Sequence, residues 1–152
     1  MTHDLKTYFE DAKTNRYAIG HFNFSTLDVL RAIVDGAKDA GAPCVMVGTS
    51  GGEAKFVGLK QASALVRSIR EEYGFDVFLN ADHFKEVGAC KEAVDAGYDT
   101  VLFDGGGLSY EENTARTCEV SLRSRTRTLA GVCETSRRRL HCYMHTDYSI
   151  GI

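Results

Sequence analysis

A chain of 152 residues, 43% of them hydrophobic, is long enough for one domain with a buried core, and it contains no apolar run near the roughly 18 residues that a membrane span requires. Residues 1–120 carry 12 basic and 19 acidic side chains, an acidic balance that argues against nucleic acid as a partner. The five cysteines lack C-x-x-C spacing and the N-terminus lacks the apolar segment of a signal peptide, so we expect a cytoplasmic protein with reduced thiols.

The first half of the chain alternates helical and strand patterns. Residues 5–15 predict a helix, 17–24 a buried strand, and 27–41 an amphipathic helix that Pro43 cannot continue. His21 and Asn23 on the first strand are expected to face opposite ways, so that one of them points inward and the other packs. Residues 44–48 predict the second strand and 49–52 a loop at its carboxyl end.

The same alternation continues to about residue 119. A helix is expected over 59–74, a strand over 77–79, a helix over 84–97 and a strand over 100–103, and Ser109 to Glu112 matches a capping box that begins another helix. Four such units predict a parallel sheet with its strands in the order 1-2-3-4 if the fold is half of a (β/α)₈ barrel. A flavodoxin-like open sheet fits the same pattern, and composition does not choose between them.

Asp82 and His83 are expected where the third strand gives way to its helix. This carboxyl edge is where α/β folds collect catalytic groups, and a carboxylate beside an imidazole combines a proton-transfer group with a metal ligand. The alternative is an Asp that caps the helix and a His that packs on it, since Asp is a common N-cap. On local sequence alone we favour that alternative.

Four motifs stand in order along the chain: AIGHFN at 18–23, NADH at 80–83, VLFDG at 101–105 and LSYEEN at 108–113. In this order and with family-like spacing, they resemble the class II, zinc-dependent ketose-bisphosphate aldolases, which include the fructose- and tagatose-bisphosphate aldolases. No single motif is specific, but together they cover about residues 5–119, and they reverse the preference for a capping Asp82. The resemblance implies a TIM (β/α)₈ barrel, of which this chain holds the first four β/α units.

The resemblance also implies residue roles. His83 is expected to be one of three zinc histidines, Asp82 the general acid/base at the C4 hydroxyl of the substrate, and Asp104 part of a second-shell or alternative metal site. Asn23 and Ser50 are expected to line the substrate pocket. The implied cofactor is a catalytic Zn²⁺, with a second divalent cation as an option, and the implied partners are a phosphorylated sugar and further copies of the chain.

Each of these roles has a plainer alternative. Asp104 with Gly105 is more often a turn than a metal site, and Ser50 fits a simple loop hydroxyl. The glycine run 105–107 is weak evidence for a phosphate cradle. Phe84 departs from the family, which usually has Gly, Cys or His after the Asp-His pair. Its ring is expected to crowd or dry the site.

The segment 121–152 differs from everything before it. It has six Arg, no Lys and only two acidic residues, and no clear helical or strand period. In the family, two further zinc histidines and glycine-rich phosphate loops follow at later positions, and those motifs are not found here. We expect an irregular basic tail, either disordered or produced by a shift of reading frame near 118–121. Glu134 lies near the position of a family glutamate and is treated as chance.

Two other interpretations of this segment are open. His141 and His145 are four apart and could bind a metal from one helical face, and the arginine cluster could contact phosphate or RNA. The functional expectation for the whole chain is the aldol cleavage and condensation of a ketose 1,6-bisphosphate. The alternative is a catalytically inactive fragment or a half-barrel that depends on a partner, and the isolated chain is expected to be inactive.

Overall fold

The computed structural model describes residues 4–125, 130–135 and 140–144, with side chains described over residues 4–121. Helices and strands alternate over most of this length. In chain order the elements are α1 Leu5–Asn15, β1 His21–Asn23, α2 Leu27–Asp39, β2 Val45–Ser50, α3 Gly51–Val57, α4 Leu59–Tyr73, β3 Val77–Phe84, α5 Val87–Ala96, β4 Thr100–Asp104, α6 Tyr110–Arg125, β5 Ala130–Thr135 and β6 Leu140–Met144.

The described strands form one sheet in the order β1-β2-β3-β4-β5-β6. Strands β1 to β5 are parallel, and β6 returns antiparallel to β5. The predicted parallel order of the first four strands is confirmed, and the flavodoxin-like alternative is wrong. Because successive strands lie side by side, every carboxyl end of β1 to β4 reaches the same edge of the sheet.

The main core lies between the sheet and helices packed on one of its faces. Helix α2 begins at an N-cap threonine, Thr26, whose hydroxyl accepts from the Val29 N–H, and it buries Leu30 and Val34 on one side. Alternate strand residues complete this layer, because neighbouring positions in a strand point to opposite faces. Val45, Val47, Val77, Leu79, Val101 and Phe103 supply the strand side of the core.

A smaller cluster covers the amino end of the opposite face. Leu5 from α1 packs there with Cys44, Met46 and Phe78, which alternate with the main-core residues along β2 and β3. The Tyr8 ring meets Phe78 edge-on, with centroids 5.7 Å apart. Helix α1 therefore closes the amino end of this face and leaves the carboxyl end to polar side chains.

Three elements differ from the sequence predictions. Strand β1 covers only His21–Asn23 of the predicted strand 17–24. Residues 49–52, expected as a loop, instead end β2 at Ser50 and begin α3, whose N-cap Ser50 forms a capping box with Glu53. Strand β3 runs on to Phe84, so Asp82 and His83 lie inside the strand, and the N-cap of α5 is Glu86. The proposal that Asp82 caps that helix is therefore wrong.

The segment expected to be irregular also contains regular structure. Helix α6 extends to Arg125, and β5 and β6 continue the sheet. An open strand edge on β4 accepts a further parallel strand through its backbone, and such pairing needs no strict side-chain period. His141 lies in β6, so helical spacing to His145 does not apply, and His145 lies outside the described residues. No helix among the described residues has the length and apolar character to cross a membrane.

Candidate active site

Four residues singled out from the sequence lie at the carboxyl edge of the sheet. Asn23, Ser50 and Asp104 end β1, β2 and β4, and Asp82 is opposite Ser50 in the register of β2 with β3. Parallel pairing of adjacent strands brings these side chains together although up to 81 positions separate them in the chain. The edge thus gathers two carboxylates, an amide and a hydroxyl.

A direct hydrogen bond joins the first and third strands at this edge. The Asn23 amide Nδ2 donates to Oδ2 of Asp82 at 2.9 Å, and both side chains are partly buried. The bond fixes the orientation of the carboxylate and supplies it with one donor in place of water. The other amide atom, Oδ1 of Asn23, is buried with no hydrogen-bond partner among the described residues, which is uncommon for a buried polar atom.

His83 occupies an unusual backbone conformation. Its φ is +51°, in the left-handed region that side chains other than glycine rarely adopt, and the pairing of β3 with β4 shifts register between Ala81 and Phe84. This bulge turns the imidazole toward β4, where its Nδ1 lies 3.7 Å from Oδ2 of Asp104. The ring is half exposed at 51%, so it faces open space rather than the core.

Asp104 does take part in a turn, as its plainer alternative predicted. Its Oδ1 accepts from the Gly106 N–H at 3.1 Å, while Oδ2 is the atom near His83. The turn and the contact with the imidazole use different oxygens. One carboxylate therefore both orders the loop after β4 and faces the site.

A second polar layer lies one step below the edge. Asn80 is buried, and its Oδ1 accepts from the Thr100 hydroxyl at 2.7 Å while its Nδ2 lies 3.3 Å from Nε2 of His21. An amide NH₂ only donates, so Nε2 accepts and the neutral His21 carries its proton on Nδ1. Sequence reasoning missed Asn80 and Thr100 as site residues. Asn80 could have been found from the alternation of side chains along a strand, which places Asn80 and Asp82 on the same face of β3.

Gly48 makes room for this layer. A Cβ at Gly48 would lie 2.5 Å from both Oδ1 of Asn23 and Nε2 of His21. These two residues therefore face the same side of β1, and the expectation that they face opposite ways is wrong, since positions two apart in a strand share a face. Only the absence of a side chain on β2 lets both approach.

The electrostatics of His21 follow from this packing. His21 is exposed as a residue, but partial burial lowers the pKa of His21 below its ordinary value, against the opposing attraction of Asp82. The neighbouring His83 lowers it further. His21 is therefore held neutral at pH 7 and acts as a hydrogen-bonding partner to Asn80.

The site offers two side chains that could face a metal. His83 and Asp104 face each other, but no group of three His, Cys, Asp or Glu side chains that could hold an ion occurs within residues whose side chains are described. A catalytic zinc site normally has three protein ligands. These residues do not fit a complete zinc site by themselves. Glu134 is opposite Asp104 in the register of β4 with β5, so its backbone, at least, lies at the same edge.

The family of this chain follows from its match to a family model. The family model for class-II fructose-bisphosphate aldolase matches residues 3–130. The chain belongs to the class-II fructose-bisphosphate aldolase family. This confirms the family resemblance found in the sequence motifs.

Named relatives within this aldolase family show how much of the molecule the match covers. The chain is 35% identical over 118 residues to a 6-phospho-5-dehydro-2-deoxy-D-gluconate aldolase of Bacillus licheniformis, covering 76% of this chain and 40% of the relative. It is 33% identical over 119 residues to a fructose-bisphosphate aldolase of Staphylococcus aureus, covering 76% and 41%. The chain thus spans about 40% of the length of these curated aldolases.

Solved aldolase structures share the fold. The YdjI aldolase from Escherichia coli K12 superposes with a TM-score of 0.79 at 22% identity, covering 89% of this chain and 52% of that one. A fructose-bisphosphate aldolase from Campylobacter jejuni gives 0.75 at 23%, covering 89% and 47%. The predicted fold, the first part of an aldolase TIM barrel, is confirmed.

Proposed function

We propose that this chain supplies the first half of an aldolase active site that cleaves and forms the C3–C4 bond of a ketose 1,6-bisphosphate. The products of cleavage are dihydroxyacetone phosphate and glyceraldehyde 3-phosphate. The observation that supports this most directly is the hydrogen bond from Asn23 to Asp82, which holds one carboxylate at the carboxyl edge of the sheet. Family membership supplies the reaction class, a carbon–carbon lyase.

Asp82 is proposed as the general acid/base. Its Oδ2 is occupied by the Asn23 amide, which leaves Oδ1 available to take the proton from the C4 hydroxyl during cleavage and to return it during condensation. The same hydrogen bond orients the carboxylate, and a fixed base reacts without first having to be ordered. Asn23 and Ser50, which end β1 and β2 at this edge, are proposed to line the substrate pocket.

His83 and Asp104 are proposed as metal-facing residues. A zinc ion, when bound, would supply a Lewis acid for the substrate carbonyl. The described residues offer one imidazole and one nearby carboxylate, fewer than a catalytic zinc requires, so we assign them no further step. A second divalent cation at Asp104 is proposed on the same family grounds.

The substrate is proposed at the level of a phosphorylated keto sugar. Relatives of similar identity are named for different substrates, a 6-phospho-5-dehydro-2-deoxy-D-gluconate and a fructose bisphosphate. Fructose and tagatose 1,6-bisphosphates differ only at C4, the carbon whose hydroxyl faces Asp82 in this proposal. We propose a cytoplasmic location and a homo-oligomer on family grounds, with no nucleic acid or membrane partner.

The test is a chimera in which residues 1–120 are joined to the matching second part of the Bacillus subtilis probable fructose-bisphosphate aldolase, which is 34% identical over 123 residues. Cleavage of fructose and tagatose 1,6-bisphosphates is measured with zinc present. Asp82→Asn should lower kcat by about a hundredfold to ten-thousandfold, the usual contribution of an acid/base group. The matched control, Asp35→Asn on the outer face of α2, should leave kcat unchanged. A folded chimera that turns over equally well without Asp82 contradicts the proposal.

A second candidate is a non-catalytic polypeptide, and the incomplete donor set among the described residues favours it for the chain on its own. We expect the purified 152-residue chain with added zinc to give no turnover of either bisphosphate. Turnover that disappears with Asp82→Asn would overturn this second candidate and support catalysis by this chain alone.

A further inference from the structure

A chain of polar contacts spans three strands beneath the candidate site. The Thr100 hydroxyl on β4 donates to Oδ1 of Asn80 on β3 at 2.7 Å, and Nδ2 of Asn80 lies 3.3 Å from Nε2 of His21 on β1. Thr100 is fully buried and Asn80 is 5% exposed, so both groups are shielded from water. The bond from Thr100 fixes which end of the Asn80 amide is the oxygen, and the NH₂ end therefore faces His21.

The Asn23 amide lies between two acceptors. Its NH₂ group donates to Oδ2 of Asp82 at 2.9 Å. On the other side of the amide, Oδ1 of Asn23 and Nε2 of His21 each lie 2.5 Å from the place that a Cβ of Gly48 would take, so these two atoms are at most about 5 Å apart. A half-turn of the amide would exchange its two ends, with the NH₂ group facing His21 and the oxygen facing the Asp82 carboxylate.

The lone pair on Nε2 of His21 decides between these two orientations. An unprotonated imidazole nitrogen has a single lone pair in the plane of the ring, and the NH₂ group of Asn80 already donates to it. Of the two acceptors near the Asn23 amide, only Asp82 then remains for its NH₂ group. This assignment also accounts for the buried Oδ1 of Asn23, which has no hydrogen-bond partner among the described residues because the nearby Nε2 is itself an acceptor.

We propose that Asn80 is a positioning residue for the Asp82 carboxylate. It occupies Nε2 of His21 and thereby keeps the NH₂ group of Asn23 turned toward that carboxylate. The role rests on the proposed function, in which Asp82 is the acid/base group. Without Asn80, the free lone pair of His21 competes for the NH₂ group of Asn23, and the carboxylate loses the donor that orients it.

The first test is NMR spectroscopy of the isotope-labelled 152-residue chain at neutral pH. The ring nitrogen shifts of His21 should show a protonated Nδ1 and an unprotonated Nε2. Asn80→Asp places a carboxylate, which only accepts, against Nε2, so Nε2 should become protonated in that variant. A wild-type Nε2 that carries a proton would overturn the proposal, because the lone pair on which it depends would be absent.

The second test is a cycle of variants measured on the side-chain NH₂ signal of Asn23 in the same chain. Asn80→Ala should displace this signal, because the NH₂ group changes its acceptor. Adding His21→Ala removes the competing lone pair, so the double variant should give the signal of His21→Ala alone. A displacement of equal size with and without His21, or no displacement at all, contradicts the positioning role.

The same cycle is then measured on catalysis in the chimera. Asn80→Ala should lower kcat by about tenfold with KM unchanged, the usual effect of one lost hydrogen bond to a charged group, and adding His21→Ala should restore kcat. The matched control is Asn113→Ala, because Asn113 on α6 is also 5% exposed. The kcat of this control should not be restored by His21→Ala, since Asn113 has no part in the contacts of His21.

The NMR cycle and the turnover separate this inference from the proposed function. An inactive chimera together with a His21-dependent displacement of the Asn23 signal would remove the proposed reaction and keep the role of Asn80. An active, Asp82-dependent chimera in which Asn80→Ala leaves kcat unchanged, or lowers it equally with and without His21, would do the reverse.

Discussion

The two ends of the parallel sheet differ in how their polar groups are paired. At the amino end, the Arg70 guanidinium donates to the Val77 carbonyl and to the carboxylate of Asp99. That carboxylate also accepts from the Leu79 N–H at 2.7 Å. Each group there has its partner within the chain.

Tyr8 on α1 is likewise paired within the chain. The Tyr8 hydroxyl donates to Asp76 at 2.7 Å, and burial together with that carboxylate raises the pKa of Tyr8. This contact ties α1 to the residue that precedes β3. The polar contacts of the amino end therefore hold elements of the fold together.

The carboxyl end contains an unsatisfied polar atom and a strained residue. Oδ1 of Asn23 is buried without a hydrogen-bond partner among the described residues, and His83 takes a left-handed backbone conformation. Unsatisfied groups and backbone strain cost stability unless a ligand or function compensates. The contacts of the amino end therefore stabilise the sheet, whereas the costs at the carboxyl end fit the binding role proposed for it, as in barrels of this type.

The largest expected effect is at the amino end. Asp99→Ala removes the partner of Arg70 and of the Leu79 N–H, in a site where both charged side chains are only 27% exposed. We expect the free energy of unfolding to fall by about 2 to 3 kcal/mol, since a partly buried charge and an N–H lose their partner. Urea denaturation followed by circular dichroism measures it.

The control for this prediction is Glu72→Ala, which breaks an ion pair with Arg31 at 3.0 Å in which both side chains are more than 40% exposed. Exposed pairs contribute about 0 to 1 kcal/mol, so little change is expected. Equal losses in the two variants would show that the amino end is not specially stabilised.

The next effect is at the floor of the candidate site. Gly48→Ala places a Cβ 2.5 Å from atoms of Asn23 and His21, so those side chains or the strands must shift. We expect a loss of about 2 kcal/mol in the free energy of unfolding, a usual cost of overpacking. In the chimera, kcat should fall because Asn23 no longer orients Asp82.

Gly36→Ala is the matched control, because a Cβ there meets nothing within 4 Å in helix α2. It should stabilise the protein by about 0.5 to 1 kcal/mol through the better helix propensity of alanine. A Gly48 variant as stable as the wild type would remove the argument that this glycine makes room for the polar layer.

A smaller effect is expected at the bulge in β3. His83→Gly should be more stable than His83→Ala by about 1 kcal/mol, because only glycine adopts a φ of +51° without steric cost. Thermal unfolding of the two variants gives the difference. Arg16, at the left-handed C-cap of α1 with a φ of 57°, offers the same Gly-against-Ala comparison away from the site. A preference for glycine at Arg16 but not at His83 would indicate that His83 is unstrained.

The smallest effect is a pH dependence from His21. Its folded pKa lies below the ordinary value of 6.5, so the unfolded chain takes up the proton first as the pH falls. The contribution of neutral His21 to the free energy of unfolding is fully present above the ordinary pKa of 6.5. It is lost as the pH falls from 6.5 toward the lowered pKa of the folded state. His21→Gln should flatten the curve of unfolding free energy between about pH 7.5 and 5.5. An unchanged slope would mean that burial does not lower the pKa of His21.

Local sequence determined much of the fold. The apolar spacing of Leu30 and Val34 gave α2, and the buried runs gave β2 and β4 to within two residues at each end, because side-chain burial follows the periods of helix and strand. The order and spacing of the four motifs indicated the class II aldolase family. The seven-residue helix α3 was missed because its two leading glycines read as a loop, although Ser50 and Glu53 carried the capping-box signal.

Only the tertiary structure decided the site. Backbone pairing with β2 and β4 carries β3 through the polar residues Asn80 and Asp82, which sequence reasoning assigned to a strand end. The positive φ of His83 follows from the bulge in that pairing, and no local pattern encodes a shift of register between two strands. The contact of Asn23 with Asp82 joins residues 59 positions apart. The alternation of residues along a strand determines which side chains share a face. The distances between side chains of different strands depend on the register in which those strands pair.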